Sequence, residues 1–136
     1  MTVLFVTQFI HLLVDLFVMT YAFIFNSIYD IYFICFLLSQ IFHWELLKNE
    51  CIISYIEKKI INPNYELGSY PFWSPHRQLF FNNYTNSLRI LFIIGGLIYI
   101  IYRNKKYYIK IITILAISLW LYFNFSVPKI KYLNLY

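Results

Sequence analysis

The chain has 136 residues, of which 61% are apolar and 23% aromatic. Only 12% are charged, about half the share of an ordinary soluble domain, and a soluble fold this short could not hide so much apolar surface. Disorder, collagen and a disulfide scaffold are excluded as well, and a net charge of +5 suits anionic headgroups and membrane orientation without requiring nucleic acid. What remains is a single membrane-embedded domain. Alanine occurs only at Ala22 and Ala116 while Ile, Asn, Tyr and Phe abound, the bias of AT-rich coding.

The first predicted element is a membrane helix over about residues 2–25, since about 20 mostly apolar residues cross the hydrocarbon layer. It lacks a basic n-region and a small-x-small cleavage site, so it is expected to stay as a span. A second span is predicted over about 28–47, joined to the first by the tight turn Asn26-Ser27. The long connection 48–83 follows. In its first part, Ile52, Ile53, Ile56 and Ile60 share one helical face and Glu50, Ser54, Glu57 and Lys58 the other, which predicts a helix lying in the interface. Residues Asn62 to His76 are turn-rich and aromatic, as in an ordered loop at headgroup depth.

Spans three and four are predicted over about 84–102 and 107–125, joined by Arg103-Asn104-Lys105-Lys106. Pro63, Pro71, Pro75 and Pro128 all fall outside the four spans, as unbroken helices require. The expected fold class is all-α, with four transmembrane helices as two antiparallel hairpins plus an interfacial amphipathic helix. Lys48, Lys58, Lys59, Arg77, Lys129 and Lys131 lie on the side of the termini and Arg103, Lys105 and Lys106 on the other. That bias favours both termini on the cytoplasmic or matrix side.

Asp15 is the most unusual residue, because a carboxylate within a span costs several kcal/mol unless paired or protonated. Gln8 and His11 share its helix face, and Gln40 lies in the second span. These four make either a proton-relay or ligand site, or a polar seam that fixes packing. His11 and His43 lie at similar distances on either side of the first turn, so they reach similar depth on neighbouring helices. As a facing pair they would hold a haem iron or a metal; otherwise they are interhelical hydrogen-bonding groups, with His43-Trp44 in the aromatic belt.

Glu45, Glu50 and Glu57, with Lys48, Lys58 and Lys59, read as a solvated polar face, the alternative being a carboxylate pair for acid–base chemistry. Cys51 would need a depressed pKa to react, and its sequence neighbours supply no base. Trp73, His76 and Arg77 are expected at lipid headgroups. Gly95 and Gly96 are expected to let the third span approach Thr113, Ala116 and Ser118 of the fourth. No phosphate-cradling glycine loop, zinc helix motif or serine elbow is present.

The stretch His43-Trp44, Asn49 to Lys59 and Asn62 to Gly68 resembles a group of small, uncharacterised multi-pass membrane proteins encoded by giant DNA viruses of protists. Their pattern has His-Trp closing the second span, then Cys, a small hydroxyl residue and Glu at i, i+3 and i+6. Cys51, Ser54 and Glu57 match it. A bacterial family of small membrane proteins of unknown function has a comparable Cys-x-x-Thr-x-x-Glu segment. The resemblance implies that His43, Trp44, Cys51, Ser54 and Glu57 form one unit near the interface, and it brings no activity with it. The coding bias suits such viruses, or equally a protist mitochondrial gene.

The expected function is that of a structural or accessory subunit binding lipids, other membrane proteins or itself. The expected setting is a viral or host internal membrane, or a protist mitochondrial inner membrane. The alternatives are a redox, metal or haem protein using His11 and His43, and a small proton-conducting channel using Asp15. A membrane enzyme built on Cys51 and Glu57 comes last, for want of a base.

Overall fold

The computed structural model describes residues 2–71 and 73–125; Pro128, Lys129 and Lys131 lie outside the described residues. Its helices are α1 (Thr2–Ile24), α2 (Asp30–Leu46), α3 (Ile52–Ile61), α4 (Pro75–Phe80), α5 (Asn83–Arg103) and α6 (Tyr107–Phe125), with a 3₁₀ turn at Ser27–Tyr29. No strand occurs among the described residues, so the all-α class holds. Among the described residues three helices, α1, α5 and α6, are long and apolar enough to cross a membrane. Helix α2 is shorter than the predicted second span. It has 17 residues, or about 25 Å, because Ser27–Tyr29 is taken into the turn and Leu47 ends the helix.

Local signals explain the helix boundaries. The Asn26 side chain accepts the Ile28 N–H. Asn82 and Thr85 form a reciprocal capping box that starts α5, satisfying donors that the first turn leaves free. Pro75 opens α4, where its missing N–H costs nothing. Lys48 and Asn49 take left-handed backbone (φ 53° and 66°), which turns the chain sharply between α2 and α3. Gly68, at φ 85°, faces Lys48 so closely that a Cβ would lie 2.9 Å from the lysine side chain.

Helix α1 packs chiefly on α5, and also on α3 and α4; α2 packs on α6, and α5 on α6. The α1–α5 pair runs parallel with matching repeats. Ala22 meets Gly96 and Asp15 meets Arg89, each contact seven residues, or two turns, from the other. The expectation that both glycines face the fourth span is corrected. A Cβ on Gly96 would stand 3.2 Å from that of Ala22 on α1, whereas one on Gly95 would meet nothing within 4 Å. Adjacent helical positions point about 100° apart, so only one of two neighbouring glycines can line a given contact. Along the first turn, α1 and α2 touch through rings: Tyr21 stacks on Phe33 at 3.8 Å, and Phe17 meets Phe33 and Phe36 edge-on at 5.9 Å. The common core joins Ile34, Leu37 and Ile41 of α2 to Leu97 and Ile100 of α5 and Trp120 of α6.

A polar clamp ties the two short turns together. Asp30, fully buried at the start of α2, accepts two hydrogen bonds from the Arg103 guanidinium, one of them at 2.9 Å from Nε, and another from the Asn104 amide. Arg103 also donates to the Ala22 and Phe25 carbonyls at 2.6 and 2.9 Å, which lie near or beyond the end of α1 and lack helical partners of their own. The charge of Arg103 is therefore matched within the protein.

Helix α3 overturns the solvated-face expectation for Glu50 and Glu57. Glu50, Glu57 and Lys58 are each 0% exposed, while Ile52, Ile56 and Ile60 are 41%, 41% and 38% exposed. The amphipathic pattern is as predicted, but its polar face turns inward. The cause is what it meets there: polar groups of α1, α4 and the 62–76 loop. Lys58 Nζ donates to Glu50, to Tyr65 Oη at 3.3 Å and to the Tyr70 carbonyl at 2.7 Å. Glu50 also accepts from Tyr65 Oη and from the Gly68 N–H. Burial pushes the Lys58 amine below its ordinary range, against the opposing pull of Glu50. This network folds the loop back over α3.

Candidate functional site

Four segments bring polar side chains to one buried cluster about midway along α1. Helix α1 contributes His11 and Asp15, α3 contributes Ser54 and Glu57, the entry to α4 contributes Ser74 and His76, and α5 contributes Arg89; all are buried, as is Gln8 one turn before His11 on the same α1 stripe. The Glu57 carboxylate faces the Nδ1 edges of both imidazoles. Its Oε1 lies 3.1 Å from His11 Nδ1, and its Oε2 lies 3.7 Å from His76 Nδ1 and accepts the His76 backbone N–H at 3.3 Å. The two imidazole centroids are 3.5 Å apart at a 30° tilt. His76 Nε2 meets Asp15 Oδ2 at 3.1 Å, and Asp15 Oδ1 accepts from Arg89 Nη1 at 3.3 Å. On the other side, Ser74 Oγ lies 2.8 Å from His76 Nδ1 and 3.1 Å from Ser54 Oγ.

Burial alone would raise the Glu57 carboxyl, but hydrogen bonds from His11 and then His76 outweigh it and hold the group down at about 2. Cys51 occupies the N-cap of α3. Burial works to raise its thiol, and the hydrogen bond and charge of His11, with the N–H groups of Ser54 and Ile53, bring it below its ordinary value. A thiol at a helix N-terminus beside an imidazole is the setting in which cysteine becomes a thiolate nucleophile. The imidazole that acts on Cys51 thus comes from α1, remote from it in sequence.

The cluster opens on a cavity of about 340 Å³, within the range of small-molecule sites. Gln40 and Trp44 of α2 line it, as do His11, Asp15, Cys51 and Ser54, and Trp73 and Arg77 of the loop and α4. Most of the predicted polar seam and interface unit therefore meets in one place. Two expectations are corrected. The histidine beside His11 is His76 and not His43, whose Nε2 instead accepts the Ile52 N–H at 3.1 Å and ties the end of α2 to the start of α3. His76, expected at headgroups, is 0% exposed, because Asp15 and Glu57 draw its ring inward.

A metal-ligand set is also present, with a different second histidine from the one expected. Ligand atoms of His11, Glu57 and His76 all lie within 4.8 Å of one another. Ser74, Arg89 and Asp30 did not stand out as site or clamp residues in the sequence. For Arg89 a signal existed: an arginine and an aspartate inside separate spans each need a partner. No protein-family model, curated protein or solved structure matches the chain.

Proposed function

We propose that this chain is a membrane-integral thiol enzyme of the acyl-transfer class, with Cys51 as nucleophile, His11 as general base and Glu57 as the group that orients it. The observation that carries this reading is the arrangement at the start of α3: Cys51 sits at its N-cap with its thiol drawn down by His11, and Glu57 Oε1 lies 3.1 Å from His11 Nδ1. It has the nucleophile–base–orienter order of catalytic triads. The thiol passes its proton to His11 and its sulfur bonds the acyl carbonyl carbon. The bond to the leaving group breaks, and the leaving group takes the proton from His11. Water or an acceptor hydroxyl then cleaves the thioester by the reverse sequence. The Ile53 and Ser54 N–H groups at the start of α3 favour the anionic sulfur.

In this reading α2 is the fourth span, bringing both termini and the loop to one side, which we assign to the cytoplasm or matrix. The setting is a viral, host or organellar internal membrane. Incubation with a palmitoyl thioester followed by mass spectrometry tests the chemistry. The expected product is a hydroxylamine-sensitive adduct on Cys51, absent in Cys51→Ser and formed about 100-fold more slowly in His11→Ala, the low end of general-base contributions. No adduct, or equal rates in wild type and His11→Ala, refutes the proposal and leaves the accessory-subunit reading as the stronger one.

A second reading is favoured by the three-ligand set. His11, Glu57 and His76 supply two imidazoles and a carboxylate, a donor set suited to zinc or non-haem iron. It predicts stoichiometric metal in the detergent-purified protein, lost in His76→Ala and kept in Cys51→Ser. A blank in the wild-type protein removes this reading and leaves the thiol reading untouched.

A further inference from the structure

The cavity holds two donor groups with nothing to donate to. Arg77 Nε and Trp73 Nε1 are buried and have no hydrogen-bond partner among the described residues, and both residues line the cavity. A guanidinium and an indole N–H can only donate, so what they lack is an acceptor. Arg77 makes no ion pair among the described residues. Its charge and that of Arg89 are close enough to act on each other, and both act on the single carboxylate of Asp15. The other nearby carboxylate, Glu57, is engaged by the two imidazoles. This part of the cavity therefore carries cationic donors in excess of its acceptors.

The cavity is also graded along its length. On α5 the lining passes from Asn82 and Asn86 through Arg89 to Ile90 and Ile93, about 16 Å of helix. The other spans repeat the gradient in the same direction. On α2 it runs from Trp44 and Gln40 inward to Leu37, and on α6 from Asn124 inward to Trp120. One end is polar and cationic, the other apolar, and Cys51 and His11 border the same space.

We infer that the cavity is a binding site for an amphiphile with an oxyanion head, its head on Arg77 and Trp73 and its chain directed toward Leu37, Ile93 and Trp120. As a substrate site it rests on the thiol reading, for which it names the class: an acyl amphiphile with an anionic head. As a binding site it stands on the cavity alone.

All three tryptophans of the chain, Trp44, Trp73 and Trp120, line this cavity, so their fluorescence reports occupancy. The protein in maltoside micelles is titrated with phosphatidylglycerol carrying a brominated acyl chain, with phosphatidylcholine brominated in the same way, and with inorganic phosphate. The expected result is saturable quenching by phosphatidylglycerol at a concentration about tenfold below that for phosphatidylcholine. The midpoint shifts about tenfold upward in Arg77→Gln, as loss of hydrogen bonds to a charged group implies. It shifts less in Arg77→Lys, which keeps the charge and loses the fork.

Competition by millimolar phosphate against phosphatidylglycerol supports the same oxyanion site with a free anion as its source; no competition assigns it to the lipid head. Equal quenching by the two lipids, or an unshifted midpoint in an Arg77→Gln protein that keeps its helical content and melting temperature, overturns the inference. Cys51→Ser retains the quenching if only the thiol chemistry fails, which separates the two proposals.

Discussion

Asp30→Ala tests the turn clamp. The substitution leaves the Arg103 guanidinium without its counterion and the Asn104 amide without its carboxylate. Removing one partner of a buried pair costs about 3–5 kcal/mol. The Arg103 side chain is 13% exposed and keeps its two carbonyl partners, which puts the loss at the low end, about 3 kcal/mol. With the unfolding entropy usual for a chain of this length, that is a fall of about 10 °C in melting temperature. The assay is thermal unfolding in maltoside micelles, followed by circular dichroism. In the double variant Asp30→Ala/Arg103→Met, where no charge is stranded, about 2 kcal/mol of the loss should return as coupling between the sites, with Arg103→Met alone completing the cycle. A melting temperature for Asp30→Ala within 2 °C of wild type (about 0.5 kcal/mol) would refute the clamp, as would additive effects in the double variant.

The two glycines of α5 should respond in opposite directions. Gly95→Ala enters open space and should stabilise by about 0.5–1 kcal/mol through helix propensity. Gly96→Val drives into Ala22 and should destabilise by about 1–3 kcal/mol, both read from thermal melts. The Glu57 carboxyl is depressed in the folded state, so its stabilising effect is complete above its ordinary value near 4.5 and is lost as pH falls toward about 2. Melts between pH 6 and pH 2.5 should show that acid limb flattened in Glu57→Gln, and an unchanged limb would show that Glu57 is not its source. Because His11 holds the Cys51 thiol below its ordinary value against the effect of burial, iodoacetamide labelling at pH 7 should slow in His11→Ala, where burial is left without that counterweight. Equal labelling rates would mean that the two side chains do not interact.

The sequence by itself determined the membrane setting, the helical class, the approximate bounds of α1, α5 and α6 and the amphipathic pattern of α3. Each follows from local composition and periodicity, which one segment carries without reference to another. It also marked Asp15 and His11, because a polar group in an apolar run is costly wherever the helix lies, and Cys51 through its spacing to Ser54 and Glu57. What it could not supply was the rotation of one helix about its axis relative to another. Spacing alone put His11 opposite His43, but the packing of α3 and α4 on α1 chose His76 from 61 residues beyond Asp15.

The same freedom decided α3. A face with Glu50, Ser54, Glu57 and Lys58 points to water in a helix lying on a surface and to the interior in one packed over polar groups, and the pattern is identical in both cases. Arg89 and Asp15, 74 residues apart, meet because the Ala22–Gly96 contact sets α1 and α5 in register two turns away. The individual groups were therefore legible as oddities in the chain. Their union into an imidazole–carboxylate cluster beside a cavity that Cys51 also lines belongs to the tertiary structure, because partners so far apart in sequence are brought together only when the helices pack.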